Sequence, residues 1–276
     1  MKRLSVAGVE IPVIGLGTWK VTGPACASLV AQALQAGYRH VDTAAIYGNE
    51  VEVGEGLRAS GVPREEVFVT TKIWRDNVAE GDLELAAEAS LQRLGLDRVD
   101  LMLIHWPNYD IPLPGQMRAL ARVKERGLAR AIGVSNYPTA LLEEAVALCP
   151  EPLAVNQVEY HPYLSQRRVL EAVRRHGMLL TAYSPLAEGN VLRDRTIAEI
   201  ARAHGATAAQ VAIAWLTRQE GVIAIPKTAN PQRAAENLRA SAVHLTDAEA
   251  ARIAALARPN GRQISPAGWV RWDPAD

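Results

Sequence analysis

Eight short runs of apolar, β-favouring residues punctuate the chain, at positions 14–16, 40–42, 67–71, 99–104, 131–134, 154–159, 179–183 and 222–225. Between them apolar residues recur every three or four positions, the period of a helix with one buried face. These helical stretches cover 24–36, 50–60, 82–94, 115–126, 139–147, 166–176, 197–204 with 208–216, and 232–240. Pro24 stands near a start, and Gly37, Gly61, Gly95, Gly127 and Gly177 stand at stops, where each residue type is favoured.

Strand and helix alternating in this way predict a parallel sheet with helical crossovers. Parallel strands are buried on both faces and read as near-continuous apolar runs, as VDLMLI (99–104) does. Eight such units in 276 residues fit a closed (β/α)8 TIM barrel better than an open, doubly wound sheet. The leading LSVAGVEIPV predicts an N-terminal β-hairpin turning at Ala7-Gly8, placed to plug the bottom of the barrel. A further helix at 247–256 and an irregular C-terminal tail over 259–276 follow the last unit. No linker or low-complexity tract interrupts the chain, so residues 1–276 are expected to form one barrel domain. The first strand is not followed by GxGxxG, which argues against a Rossmann dinucleotide domain.

Composition narrows the function classes. Hydrophobic residues make up 49% and charged residues 22%, which is enough for a packed core. Thirty basic against thirty acidic residues leave a formal net charge of zero, so the footprint of a nucleic-acid or anionic-membrane binder is missing. The N-terminal apolar run is broken by Gly8, Glu10 and Pro12, unlike a signal peptide, and no apolar stretch nears the ~20 residues a membrane span needs. A soluble cytoplasmic protein is expected, and a neutral surface without an apolar stripe makes a monomer the simpler expectation. Cys26 and Cys149 lie in no metal-binding spacing and read as reduced thiols, so no metal is expected.

Barrel enzymes carry their chemistry at the C-terminal ends of the strands. There the chain places Asp42, Lys72, His105, Asn136, Glu159 with His161, and Tyr183 with Ser184, while Tyr47 lies five residues past Asp42 in DTAAIYGNE. Singly, each has a plain structural explanation. Together they are a set of ionisable groups whose desolvation structure alone rarely explains. Their chemistry suits carbonyl reduction, which puts hydride on carbon and a proton on oxygen. A tyrosine is a weak acid unless a cation lowers its pKa, and Lys72 can supply that charge. Asp42 would hold the ammonium, and His105 could orient the carbonyl and stabilise charge on its oxygen.

At these residues the chain resembles the aldo-keto reductase superfamily. The resemblance runs through GLGTWK (15–20), GYRHVDTAAIYGNE (37–50), VTTKIW (69–74), VDLMLIHWP (99–107), IGVSNY (132–137), NQVEYHPYL (156–164), AYSPLA (182–187) and IPKTANPQRAAEN (225–237). It implies NADPH as cofactor, a small-molecule carbonyl substrate, and Tyr47 as general acid with Asp42, Lys72 and His105 as partners. It further implies cofactor contacts from Thr18, Trp19 and Asp42, and hydrogen bonds to the nicotinamide carboxamide from Ser135, Asn136 and Gln157, with Tyr183 stacked on the ring. Ser184 and Leu186 match pyrophosphate contacts. Lys227, Thr228 and Arg233 match the 2′-phosphate cluster, with Glu236 and Asn237 near the adenine. Two cations beside one phosphate would favour NADPH over NADH. The tail NGRQISPAGWVRWD and the short loop NYDIPLP resemble the bacterial 2,5-diketo-gluconate reductases of B type, which implies small aldehydes, dicarbonyls and keto-sugars as substrates. Trp19, Trp74 and Trp106, with His105, are candidate walls of the substrate pocket, and Trp269 with Trp272 a candidate lid.

Three other chemistries use some of the same residues. A Schiff-base lyase would need Lys72 neutral. Metal-assisted hydrolysis would draw on Asp42, His105, Glu159 and His161. A cofactor-sensing protein would bind nucleotide without turnover.

Overall fold

The computed structural model describes residues 2–274, so the last two positions of the expected tail lie outside the described residues. The chain opens with a hairpin, β1 (Arg3–Val6) and β2 (Val9–Pro12), which turns through Ala7 and Gly8 at positive φ. Its inward residues Val6, Val9 and Ile11 pack on Phe68, Leu101, Leu103, Val155 and Ile223 inside the barrel, so the hairpin is the expected plug.

Eight parallel strands follow: β3 (Leu16–Gly17), β4 (His40–Asp42), β5 (Phe68–Ile73), β6 (Val99–Ile104), β7 (Ala129–Ser135), β8 (Leu153–Glu159), β9 (Leu179–Tyr183) and β10 (Val222–Ala224). Each pairs with the next in sequence order. The ring closes where Gly15 N–H donates to the Ala224 carbonyl at 2.9 Å and Gly17 N–H to the Pro226 carbonyl at 3.0 Å. Gly17 is needed at this seam, because a Cβ there would meet the Ile225 carbonyl oxygen at 2.9 Å. The first strand is therefore shifted from the expected 14–16, and Ile14 contributes a single bridge to Ala224. The ladder begins two residues later than apolarity alone suggests, because glycine permits the close approach.

The crossovers are α1 (Gly23–Gln35), α2 (Glu50–Ala59), α3 (Asp82–Leu94), α4 (Leu113–Glu125), α5 (Thr139–Leu148), α6 (Arg167–Arg175), the pair α7 (Arg195–Ala203) and α8 (Ala208–Thr217), and α9 (Pro231–Leu238); α10 (Asp247–Ala254) precedes the tail. Their apolar faces and the outward faces of the strands form the main core between sheet and helices. Among the described residues no helix is long and apolar enough to cross a membrane. Both cysteines are free, and burial pushes the Cys26 thiol up to about 11, which leaves it unreactive.

Candidate active site

The strand ends bring together the ionisable residues expected there. Lys72, completely buried near the end of β5, donates to Asp42 Oδ1 at 2.5 Å, to the Thr43 carbonyl at 2.9 Å and to the Tyr47 hydroxyl at 3.3 Å. All three ammonium hydrogens thus have acceptors. Gln157 Nε2 donates to the second oxygen of Asp42 at 2.7 Å, so that carboxylate is held on both sides. Thr18 gives both its amide and its hydroxyl to the Asp42 carbonyl, at 3.1 and 3.0 Å.

Tyr47 reaches this cluster because a single 3-10 turn, Ala45–Tyr47, folds the loop back over the barrel mouth and ends at Gly48 with φ 64. Buried Asn49 braces the turn, donating to the Thr18 and Val21 carbonyls at 3.0 and 2.8 Å and accepting from Thr43 Oγ1 at 2.8 Å. Asn49 escaped the sequence reading. It sits beside Gly48 and looks like an ordinary turn residue, and its partners lie elsewhere in the chain.

The electrostatics depart from expectation in one respect. Burial lifts the Tyr47 phenol above its ordinary value; the Lys72 ammonium pulls it down by charge and hydrogen bond, while Asp42 adds to the lift. The resting phenol is therefore more firmly protonated than free tyrosine, not acidified as the sequence suggested. The lysine offsets part of the burial cost of a phenolate. Burial also works to discharge Lys72, but the Asp42 carboxylate, the Tyr47 oxygen and hydrogen bonds to both outweigh it and raise the ammonium above its usual range. A lysine held charged in this way is a poor Schiff-base nucleophile. Burial, with Lys72 second, keeps His105 well below the usual imidazole range, so its ring is neutral at pH 7. The arrangement can deliver a proton from a phenol, stabilise the phenolate left behind, and offer a neutral imidazole N–H beside it.

Next to this cluster lies a polar wall. Asn136, at φ 64, donates from Nδ2 to the His105 carbonyl at 3.0 Å and to Ser135 Oγ at 3.1 Å, and its Oδ1 accepts from the Tyr183 hydroxyl at 2.8 Å. Asparagine tolerates this left-handed backbone better than most residues. Ser135 Oγ donates to the Gln157 carbonyl at 2.8 Å. The loop after β9 holds Ser184, Ala187 and Glu188 at φ 49, 48 and 52, with half-buried Leu186 among them. Left-handed non-glycine residues cost of order 1–3 kcal/mol each and persist where surrounding structure imposes them. Further round the rim, Lys227, Thr228 and Arg233 gather at the start of α9, whose first amides are capped by Asn230 Oδ1. Lys227 and Arg233 are exposed, and neither has an ion-pair partner among the described residues. Glu236 and buried Asn237 lie one turn on; the Glu236 carbonyl accepts from Gln210 Nε2 at 2.9 Å.

Aromatic rings line the other side. Trp74 and Trp106 flank His105 with centroids at 5.5 and 6.4 Å, and Trp269 from the tail meets Trp74 at 5.4 Å and Trp106 at 5.7 Å. Trp19 packs on Tyr47 at 4.7 Å and is 46% exposed. The expected pocket tryptophans thus converge on one mouth, and Trp272 stands behind them at 6.3 Å from Trp106.

Glu159 and His161, the residues a metal reading would draw on, are otherwise engaged. Buried Glu159 accepts from His161 Nε2 at 2.9 Å, from Gln263 N–H at 2.8 Å and from Ile264 N–H at 3.0 Å. Its work is to tie the tail to β8. Asp273 adds a second tie, accepting from the Thr139 amide and hydroxyl at 2.9 and 2.8 Å. No group of three His, Cys, Asp or Glu among the described residues is placed to hold a metal ion.

Comparison with known proteins gives a consistent result. A family model described as the aldo/keto reductase family matches residues 13–258. Methylglyoxal reductase DkgB of Escherichia coli O157:H7 is 43% identical over 269 residues, covering 96% of this chain and 100% of that protein. A crystal structure provisionally named 2,5-diketo-D-gluconic acid reductase B superposes with a TM-score of 0.97 at 47% identity, covering 99% of this chain and 98% of that one. A Bombyx mori aldo-keto reductase solved in complex with NADP superposes with a TM-score of 0.89 at 31% identity, covering 99% and 98%.

Proposed function

The chain belongs to the aldo/keto reductase family, and from that premise we propose that it is an NADPH-dependent reductase of small aldehydes, dicarbonyls and keto-sugars. The observation that carries the proposal is the buried chain Asp42–Lys72–Tyr47, with a charged ammonium 3.3 Å from a protonated phenol and a neutral His105 alongside. Supporting it are the names of two relatives, a methylglyoxal reductase and a 2,5-diketo-D-gluconic acid reductase B.

The residues present fit a dinucleotide. Ser135, Asn136 and Gln157 offer amide and hydroxyl groups beside the Tyr183 ring, and Lys227 with Arg233 form an unpaired cationic pair at a helix N-terminus. Such a place favours a phosphate through its two cations, since the first amides of the helix are already capped by Asn230. When bound, the dihydronicotinamide supplies the hydride that reaches the carbonyl carbon. Tyr47 gives its hydroxyl proton to the carbonyl oxygen, and the nearby His105 ring orients that oxygen. Lys72 stabilises the tyrosinate that results, and Asp42 keeps Lys72 in place. Proton and hydride together convert C=O to CH–OH, and solvent then reprotonates Tyr47.

Adding purified protein to NADPH and methylglyoxal should bleach the nicotinamide absorbance in proportion to alcohol formed; no consumption across an aldehyde panel would dispose of the reading. The coenzyme preference has its own test. Arg233→Ala should raise the NADPH KM by roughly tenfold, the loss of one charge-assisted phosphate contact, and barely move the NADH KM. An equal change for both coenzymes would remove Arg233 from the 2′-phosphate.

A further inference from the structure

Stacked on the tail's part of the aromatic wall is a guanidinium that the proton-delivery chemistry does not use. Arg75 follows Trp74 directly, beyond the catalytic end of β5. Its guanidinium lies over the Trp269 ring, 4.6 Å from the centroid, and its Nε is buried without a hydrogen-bond partner. The Arg75 carbonyl is fixed by Asn108 Nδ2 at 3.0 Å, so the backbone beneath the side chain is anchored. The adjacent Asp76 is exposed, and among the described residues no carboxylate pairs with Arg75. A buried, unpartnered N–H on a fixed cation is costly unless an acceptor arrives to use it.

We infer that Arg75 is a specificity residue that recognises a carboxylate carried by the substrate at the end remote from its carbonyl. The inference rests on the reductase reading and adds to it the substrate's charge. Trp269 touches Trp74, and Trp74 touches His105, so two indole rings connect the guanidinium to the imidazole proposed to orient the carbonyl. A molecule with its carbonyl at His105 and its body along the tryptophans directs its far end toward Arg75. A guanidinium stacked on an indole keeps its planar fork free for bidentate pairing with a carboxylate. The stack also makes the subsite depend on the tail that supplies Trp269.

The test compares two acid aldehydes, succinic semialdehyde and 4-carboxybenzaldehyde, each with its methyl ester, for the wild type, Arg75→Gln and Arg75→Lys. Arg75→Gln should lower kcat/KM for at least one acid by about tenfold, mainly through KM, while its ester is unaffected. Arg75→Lys should recover part of the loss, and added salt should erode the wild-type preference for acid but not the rate on ester. If Arg75 serves only to hold Trp269, acid and ester will fall together in Arg75→Gln, and the inference is overturned. It is equally overturned if neither acid changes relative to its ester. Failure of the wild type to reduce any of the four compounds would instead count against the reductase reading itself.

Discussion

Replacing Tyr47 by phenylalanine is expected to lower kcat for aldehyde reduction by roughly 10²–10⁴-fold, the usual worth of a positioned general acid. The ring stays, so its packing against Trp19 and His105 is preserved, and only the hydroxyl that Lys72 contacts at 3.3 Å is removed. NADPH binding, followed by quenching of tryptophan fluorescence, should persist, since the polar groups proposed for the nicotinamide lie on β7, β8 and β9. The pH profile carries the same assignment. Burial raises the phenol above its ordinary value despite Lys72, so the acid form needed for reduction is present throughout the neutral range. Reduction should stay level through neutrality and decline only in strongly alkaline solution. Neutral His105 predicts no loss on crossing the ordinary imidazole range, because it is already uncharged there. An undiminished rate in Tyr47→Phe would place proton delivery elsewhere.

The parts of this site that could be read from the chain share one property: they are polar residues set at the end of otherwise apolar strands. FVTTKI is buried throughout, so Lys72 within it has to be paired or functional, and the same holds for Asp42 at the end of HVD. Strand alternation also located the barrel, because each strand pairs with the next in sequence and the one long-range pairing is the closure of the ring between β3 and β10. What escaped was set by contacts between distant residues. Glu159 reads as a candidate ligand beside His161 until the tail folds back and its amides 263 and 264 occupy both carboxylate oxygens. The sequence does not single out Arg75, because the ring it stacks on, Trp269, comes from the far end of the chain. The sign of the Tyr47 shift was hidden for a related reason. Residue types show that a cation is near, but only packing shows how much water the phenol has lost, and here the loss of water dominates.

Lys72→Met separates the two tasks of the buried ion pair. The side chains of Lys72 and Asp42 are 0% and 2% exposed, and they are joined at 2.5 Å. Removing the ammonium strands a carboxylate whose remaining side-chain donor is Gln157, and breaking a buried pair in this way costs about 3–5 kcal/mol. Urea unfolding should show a loss of that order, and reduction should collapse as well, because nothing then stabilises the tyrosinate formed by proton transfer. Stability and catalysis would fall together in this variant, so the single change cannot apportion them. The double variant Asp42→Asn with Lys72→Met can. It leaves no buried charge, and an asparagine at position 42 can still bond the Gln157 amide, so most of the lost stability should return. Turnover should not return with it, since the phenolate still lacks its cation. A double variant that regained both stability and rate would show that the Lys72 charge serves folding alone, and Tyr47 would then have to act without electrostatic help.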